Sequence, residues 1–182
     1  IPLIYDAHEL ETERNGWSRY VRTLAKFTEK KLIQHCTHIL VVNDSIRDWY
    51  KREYAEIDVT TVKNVPKLPA IVGRSKLRSK LGIQEKHCVV AYCGLFSAGR
   101  GLEALIDAFK DISDDYQLVL IGEGPLKGLL LNRASSLTNI HFVDPVPQSQ
   151  LVTFLTGANI GIAVPDNLAL SYHFGLPNKL FE

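Results

Sequence analysis

The sequence predicts an α/β protein built on doubly wound parallel sheets, and three observations lead to this prediction. Short, nearly continuous apolar runs rich in β-branched residues recur along the chain, as expected for strands covered on both faces. Segments with helical periodicity lie between these runs. A stretch with prolines and many basic residues, at 66–86, separates two such series and predicts two domains.

The clearest elements lie in the second half of the chain. Apolar runs predict four strands, at residues 88–92, 117–121, 140–143 and 160–164. Three segments with a helical period separate them, at 101–112, 125–134 and 148–158. A fourth helix is predicted to begin near Pro177, a residue suited to the first helical position.

The first half follows the same alternation more loosely. Strands are predicted at residues 3–5, 39–42 and 59–62. A long helix at 18–36 is expected to bury its apolar stripe, which consists of Val21, Leu24, Phe27 and Leu32. A second helix, capped by Asp44 or Ser45, carries Ile46, Trp49 and Tyr50.

These elements predict a domain at 1–65, a linker at 66–86 and a second domain at 87–182. Both domains are expected to be incomplete, because the chain opens on a strand, closes in the first turn of a helix and contains no methionine. The five Lys or Arg between Gly73 and Lys86 fit a short solvated helix, and they also fit a contact with anionic lipid or phosphate.

Composition excludes several functional classes. The 21 Lys+Arg against 20 Asp+Glu lack the basic excess of a nucleic-acid-binding protein. No apolar run reaches the roughly 18 residues of a membrane span. The three cysteines are few and odd in number, which predicts reduced thiols and a cytoplasmic protein, and neither they nor the histidines show metal-site spacing.

Candidate ligand-binding residues follow the strands, because open parallel sheets bind ligands at the carboxyl ends of their strands. The loop after the strand at 88–92 contains Gly94, Gly99, Arg100 and Gly101, which would let a phosphate approach the backbone next to a guanidinium. The same glycines fit a tight turn. Their spacing differs from the dinucleotide-binding fingerprint, and no P-loop is present.

Two further positions have alternative readings. Lys179 and the first-turn N–H groups after Pro177 could hold a phosphate, with Glu182 accepting from ribose hydroxyls, whereas Glu182 could equally complement the helix dipole. His8 follows a predicted strand between Asp6 and Glu9. It fits either a cleft residue or a hydrogen-bonded structural histidine.

Several motifs, in a fixed order, resemble those of the retaining GT-B glycosyltransferases called group 1, a class similar to glycosyltransferase family 4. In the second half these are Cys88–Leu95 followed by Arg100–Phe109, Val119–Pro125, Asn139–Val143, Ala158–Pro165 and Leu176–Glu182. In the first half they are Tyr5–Glu9 and Val62–Pro66. The resemblance runs along nearly the whole chain, and the order of the motifs is more specific than any single one.

The resemblance implies a GT-B fold of two Rossmann-like domains, with the acceptor side in 1–65 and the donor site in 87–182. It implies transfer of a sugar from a nucleotide-diphosphate sugar to an acceptor hydroxyl, with retention, in the synthesis of cell-surface polysaccharide or glycolipid. The expected partners are that donor and a sugar or lipid-linked acceptor. No metal, cofactor or nucleic acid is expected, and the cytoplasmic protein could contact the inner face of the membrane.

The resemblance also assigns roles to residues. Gly94 would let the backbone approach the diphosphate, and Arg100 would bind the same phosphates. The backbone around Asn178, Lys179 and Leu180 would meet the diphosphate, and Glu182 would hold the nucleotide ribose. His8 is the implied catalytic residue, facing the transferred sugar.

Two residues depart from the pattern of the group. Leu95 stands where an arginine is common, and Phe174 stands where the first glutamate of a paired-glutamate motif belongs. These departures keep two alternatives open: a nucleotide-sugar epimerase of the same architecture and a non-catalytic nucleotide-sugar-binding module.

Overall fold

The structure is a computed structural model that describes residues 1–13, 16–65, 73–166, 171 and 174–175. These residues form two compact units. The first contains residues 1–65 together with 166, 171, 174 and 175, and the second contains residues 73–165.

The first unit is a three-stranded parallel sheet with two helices. Its strands are β1 (Ile4–Ala7), β2 (His38–Val41) and β3 (Asp58–Thr61), paired in the order β1-β2-β3. Its helices are α1 (Arg19–Ile33) and α2 (Asp44–Glu53), and a short 3-10 helix spans Glu11–Glu13. The predicted order of elements is confirmed, with strand boundaries shifted by up to two residues.

The predicted buried stripe of α1 is wrong. Its members are exposed in the described structure, with relative accessibilities of 50% for Val21, 67% for Leu24, 61% for Phe27 and 59% for Leu32. The buried face instead carries Glu29 and Ile33. Periodicity identifies an apolar stripe but not the neighbours that cover it, and here Val21, Leu24 and Leu32 line a cavity of about 450 Å³.

The start of α2 differs from the prediction by one residue. Asn43, rather than Asp44 or Ser45, is the N-cap, and its Oδ1 accepts from the N–H of Ile46 at 2.8 Å. Asp44 is already helical and its carboxylate accepts from Thr61 Oγ1 at 2.9 Å. All three residues are favoured caps, so the sequence alone did not separate them.

The second unit is a four-stranded parallel sheet with helices between its strands. Its elements are α3 (Leu77–Leu81), β4 (Cys88–Cys93), α4 (Leu102–Ala108), β5 (Tyr116–Ile121), α5 (Lys127–Arg133), β6 (Ile140–Val143), α6 (Gln148–Leu155) and β7 (Ile160–Gly161). The strand order is β6-β5-β4-β7. Four strands with three intervening helices confirm the predicted α/β class, while β7 is shorter than predicted and the helix near Pro177 lies outside the described residues.

Both faces of the second sheet are covered, which explains its continuous apolar runs. Along β4, Val90 and Tyr92 pack into one core, and Val89 packs into another on the opposite face. Leu118 and Val119 of β5 divide between the same two cores. A strand buried on both sides shows no alternation of polar and apolar residues.

One of the basic residues between Gly73 and Lys86 has a structural role. Arg78 donates to the carbonyls of Gly157 and His87, each at 3.0 Å, and to Oδ1 of Asn159 at 2.6 Å. The same Oδ1 accepts from the N–H of Val89 at 2.8 Å. Arg78 therefore fixes the segment before β4 onto the start of β7.

Within the described ranges, no helix has the length and apolarity needed to cross a membrane.

Candidate functional site

The order in which the chain adds strands to the second sheet reverses at β4. Strands β5 and β6 lie on one side of β4, and β7 lies on the other. Helices leave such a sheet on opposite faces at this switch point, which opens a crevice at the carboxyl ends of β4 and β7. The loop after β4, at 94–101, begins at this edge, so Gly94 and Arg100 belong to a loop at the carboxyl ends of the strands, and their binding roles stay predictions.

The loop at 94–101 is anchored by Phe96. This side chain is fully buried and packs against the rings of Tyr92 and Phe142, with centroid distances of 6.3 Å to each. Its N–H donates to the carbonyl of Glu123 at 2.7 Å, and its carbonyl accepts from the N–H of Leu126 at 3.0 Å. The loop is therefore tied by its backbone to the neighbouring loop after β5.

Gly122 and Gly124, in the loop after β5, are explained by the same contact. A Cβ added to Gly122 would lie 2.0 Å from the carbonyl oxygen of Gly94, and one added to Gly124 would lie 2.4 Å from that of Phe96. Both glycines have φ near +150°. No side chain fits between the two loops, so these glycines pack the edge of the sheet.

Gly94 and Arg100 contribute differently to the crevice. The N–H of Gly94 donates to the carbonyl of Ile121 at 3.0 Å, so a ligand contact at Gly94 depends on its missing side chain rather than on this donor. Arg100 is half-buried and immediately precedes Gly101, which starts α4 with φ of 63° and no side-chain cap. Leu95 is 56% exposed on the same loop.

The charge of Arg100 influences the pKa of a tyrosine next to the loop, Tyr92. Burial raises the pKa of the Tyr92 hydroxyl, and the positive charge of Arg100 acts in the opposite direction. The Tyr92 hydroxyl donates to the carbonyl of Leu95 at 3.1 Å. The guanidinium charge of Arg100 therefore partly offsets the effect of burial on the pKa of Tyr92.

A cluster of opposite charges lies beside the loop after β5. Lys127 Nζ contacts Oε1 of Glu123 at 2.5 Å and Oδ1 of Asp144 at 2.8 Å. These bonds lower the pKa of Asp144 and raise the pKa of Lys127, with the Lys127–Asp144 hydrogen bond as the largest cause in both cases. Lys127 is thus paired with two carboxylates, and the charge of Lys80 also acts on Asp144.

His8 lies in the first unit, directly after β1. Its imidazole is 64% exposed, and Nε2 lies 3.2 Å from Oδ2 of Asp6. The residues around it are anchored in the core, since Ala7 and Leu10 are 1% and 0% exposed. An exposed imidazole beside a carboxylate can accept or donate a proton.

The remaining predicted donor-site residues, Asn178, Lys179, Leu180 and Glu182, lie outside the described residues. Phe174, the other departure from the pattern, belongs to the first unit. It packs against the core of that unit, and its carbonyl accepts from Nδ2 of Asn43 at 2.6 Å.

Sequence reasoning missed two polar residues of the first unit. Asn43 caps α2 with Oδ1 and holds Phe174 with Nδ2; an asparagine before a helical period was the available signal. Glu29 is buried on α1 and accepts hydrogen bonds from four hydroxyl groups. Its spacing of four residues from Ile33 marked the buried face, but no local pattern revealed its partners.

No group of three or more His, Cys, Asp or Glu that could hold a metal ion occurs in the part of the chain that the structure describes. Independence from metals stays a prediction.

The sequence model of a known family, described as "Glycosyl transferases group 1", matches residues 73–177. The match covers more than half of the chain and includes all of the second sheet. The chain belongs to the group 1 glycosyl transferases. The resemblance read from the motifs is therefore confirmed, and the loop carrying Gly94 and Arg100 lies inside the region matched by this group 1 family.

One curated relative is also a glycosyltransferase by its name. TuaC of Bacillus subtilis (strain 168), whose name describes a teichuronic acid biosynthesis glycosyltransferase, is 25% identical over 109 residues. The alignment covers 60% of this chain and 25% of TuaC. This group 1 chain thus spans a small part of the length of that relative.

Solved structures confirm the GT-B fold. HepE of Anabaena, solved in complex with UDP-glucose, matches with a TM-score of 0.67 and 16% identity, over 90% of this chain and 47% of HepE. A TarM mutant of S. aureus, solved with fondaparinux, alpha-GlcNAc-glycerol and UDP, matches with a TM-score of 0.65 and 12% identity, over 91% of this chain and 32% of TarM. At such identities the likeness of the group 1 chain to these proteins concerns the fold alone.

Proposed function

We propose that this protein transfers a sugar from a nucleotide-diphosphate sugar to an acceptor hydroxyl. The observation that carries the proposal is the placement of the 94–101 loop, with Arg100, at the switch point of a sheet that belongs to the group 1 family. Open parallel sheets bind nucleotides at this point. HepE and TarM, which share the fold, were solved with UDP-glucose and UDP respectively.

Stabilisation of the departing diphosphate is the main catalytic contribution in this proposal. The nucleotide diphosphate gains negative charge as the bond to the sugar breaks, and preorganised cations at that position lower the barrier. Arg100 supplies a guanidinium with several fixed donors, and Gly94 leaves room for the phosphates. Lys127 is already held by Glu123 and Asp144, so its charge is neutralised within the protein.

The rest of the donor site is assigned from the resemblance. Lys179 adds a second cation for the diphosphate, the backbone of Asn178 and Leu180 contacts it, and Glu182 accepts from the ribose hydroxyls. His8 faces the transferred sugar. The exposed imidazole at the end of β1, in a segment that resembles the corresponding motif of the group, supports this role for His8.

Titration of the intact protein with UDP- and GDP-sugars tests the donor site. We expect one of these donors to bind, and Arg100→Ala to lower kcat about 100-fold, the usual scale for the loss of one transition-state contact. Glu182→Ala is expected to weaken donor binding about tenfold, one hydrogen-bonding contact being worth about 1.4 kcal/mol. Absence of binding to every donor, or binding and turnover unaffected by both changes, would contradict the proposal.

The finer parts of the proposal concern stereochemistry and acceptor. We assign retention of the anomeric configuration from the resemblance. We assign an acceptor in cell-surface polysaccharide or glycolipid synthesis from the likeness to TuaC, which is named for teichuronic acid biosynthesis. Proton NMR of the first product formed with a sugar acceptor reads the anomeric configuration directly, and an inverted product would refute retention.

A non-catalytic nucleotide-sugar-binding module is the second candidate, and Leu95 favours it. This residue exposes an apolar side chain on the loop where the group commonly has an arginine. In a binding module, wild-type protein would bind the donor without turnover, and Leu95→Arg would strengthen binding. In a transferase, wild-type protein already turns over, and Leu95→Arg changes donor affinity by about fivefold at most, about 1 kcal/mol for an exposed charge.

We also propose that the reaction needs no metal or cofactor and takes place in the cytoplasm at the membrane surface. Four exposed basic residues between Gly73 and Lys86 support contact with anionic lipid: Arg74, Lys76, Lys80 and Lys86. Activity that persists in EDTA tests the first part. Co-sedimentation with phosphatidylglycerol vesicles tests the second, with phosphatidylcholine vesicles as the control, and equal binding to both would contradict it.

A further inference from the structure

Glu29, on α1, is a buried carboxylate with an unusual set of partners. The residue is 8% exposed, and each hydrogen-bond donor that the structure describes for it is a hydroxyl group. Oε1 accepts from the hydroxyls of Tyr5 at 3.2 Å and Tyr50 at 3.0 Å. Oε2 accepts from Thr12 at 3.4 Å and Tyr54 at 3.0 Å. The four donors fill the acceptor capacity of a carboxylate.

Burial of the Glu29 carboxylate has a cost in folding free energy. Removal of a carboxylate from water is unfavourable unless hydrogen bonds replace the lost hydration, and an apolar side chain of similar size packs a core at lower cost. Burial, and next the charge of Glu29, raise the pKa of Tyr5 to about 12. The Tyr5 hydroxyl therefore stays protonated, as a donor to the carboxylate, to a higher pH than an exposed tyrosine.

The partners of Glu29 connect it to the segment that carries His8. Tyr5 lies three residues before His8 and Thr12 lies four residues after it. Both bind the same carboxylate. One helical turn before Glu29, Lys26 of α1 forms an ion pair with Glu13, at the end of the same segment. The segment is thus fastened to α1 on both sides of the exposed imidazole.

The other two partners come from a different element. Tyr50 lies in the carboxyl-terminal half of α2 and Tyr54 is its C-cap, and their hydroxyls donate to Oε1 and Oε2 respectively. Glu29 therefore joins α2, α1 and the loop after β1. Hydroxyl groups from three parts of the first unit therefore converge on one carboxylate.

We propose that Glu29 is a positioning residue that sets the place of His8 by holding Thr12 and Tyr5. The inference rests on the proposed function, because it assumes that His8 faces the transferred sugar. It adds a buried residue on a different element to the determinants of turnover.

The test uses two changes at the same oxygen of Glu29. Thr12→Val removes the donor that belongs to the His8 segment, and Tyr54→Phe removes the donor that belongs to α2. Made in the intact protein, Thr12→Val is expected to lower kcat about tenfold and to leave the KM for the nucleotide sugar within twofold. Tyr54→Phe is expected to leave both within twofold. Thr12→Ser, which keeps the hydroxyl, is expected to restore kcat.

A second measurement reads His8 without relying on activity. Its imidazole signals in nitrogen-15 NMR spectra, assigned with His8→Gln, are expected to shift or broaden with Thr12→Val and to stay unchanged with Tyr54→Phe. Equal effects of Thr12→Val and Tyr54→Phe on kcat and on these signals would overturn the proposal, since Glu29 would then serve stability only.

The two measurements separate failure of this inference from failure of the proposed function. If the wild-type protein shows no transfer, or His8→Ala leaves kcat unchanged, the assigned role of His8 is wrong. The NMR comparison then still decides whether Glu29 positions the ring. If transfer depends on His8 but neither readout distinguishes the two variants, only the positioning role fails.

Discussion

The two loops that carry predicted site residues are joined to their neighbours by different kinds of hydrogen bond. The loop after β1, with His8, is fastened by side chains, through hydroxyl groups that converge on the buried Glu29. The loop after β4, with Arg100, has one buried side chain, Phe96, and is joined to the next loop by backbone hydrogen bonds of Phe96 to Glu123 and Leu126. Several side chains hold the loop after β1. The loop after β4 can approach its neighbour only because Gly122 and Gly124 have no side chain.

This difference predicts how each loop tolerates change. A hydrogen bond between side chains can be removed one donor at a time, and each removal costs a moderate amount of stability. A close approach of two backbones cannot be weakened in small steps. One added methyl group collides with main-chain atoms, which cannot rotate away as a side chain can, and the loss of stability is large. The four predictions below test this contrast, from the largest expected effect to the smallest.

Gly122→Ala is expected to destabilise the second unit by about 4 kcal/mol, the combined scale of overpacking and backbone strain. The new Cβ would lie 2.0 Å from the Gly94 carbonyl oxygen. Urea unfolding followed by hydrogen exchange of β4 and β5 peptides measures the loss. Gly128→Ala is the matched control, because nothing lies within 4 Å of its Cβ and alanine favours a helix. Equal stability of the two variants would contradict the backbone contact.

Alkaline pH is expected to destabilise the first unit. Burial and the charge of Glu29 raise the pKa of Tyr5 to about 12 and raise the pKa of Tyr50 and Tyr54 in the same direction. The folded state therefore keeps protons that the unfolded state loses. The stability from Tyr5 is complete below pH 10 and is lost as the pH rises towards 12, about 3 kcal/mol over two pH units.

Fluorescence measures this alkaline effect, since both tryptophans, Trp17 and Trp49, lie in the first unit. Urea midpoints at pH 8 and pH 11 are compared. A midpoint that does not fall at pH 11 would show that the tyrosine cluster is not responsible, and a midpoint that falls equally with Tyr5→Phe would show that Tyr5 is not the tyrosine responsible.

Tyr50→Phe is expected to destabilise the first unit by about 2 kcal/mol, the scale of one hydrogen bond to a charged group. The Tyr50 ring is fully buried, and its hydroxyl lies 3.0 Å from Oε1 of Glu29. Tyr20→Phe is the control, because Tyr20 is 88% exposed on α1. Urea unfolding monitored by tryptophan fluorescence compares the two, and a cost no greater than that of Tyr20→Phe would refute the bond.

Asn43→Ala is expected to cost about 1 kcal/mol through loss of the α2 cap. Asn43→Asp keeps the acceptor for Ile46 but removes the donor to the Phe174 carbonyl, so it separates the two bonds of this side chain. We expect the aspartate variant to retain most of the stability in urea unfolding. If both variants lose the same amount, the contact with Phe174 rather than the cap carries the effect.

Much of the candidate site could be predicted from the sequence. Gly94 and Arg100 follow a strand whose position in the sheet is set by its apolar run, so their place at the carboxyl edge needed only local pattern and the rule for parallel sheets. The roles assigned to Gly94, Arg100, Asn178, Lys179, Leu180, Glu182 and His8 stay predictions. The packing role of Gly122 and Gly124, in contrast, became visible only from the short distance between the two loops in the structure.

The sequence by itself determined the order of strands and helices, the parallel α/β class and the family. Apolar periodicity, caps and motif order are properties of residues close together in sequence. They can be recognised without knowing which residues lie close together in the folded protein. The tertiary structure alone decided which face of α1 is buried and why. Glu29 lies 17 to 25 residues away from the hydroxyls that bind it. A contact over such a separation leaves no periodic signal, because it depends on where the folded chain brings each side chain and not on its neighbours in sequence.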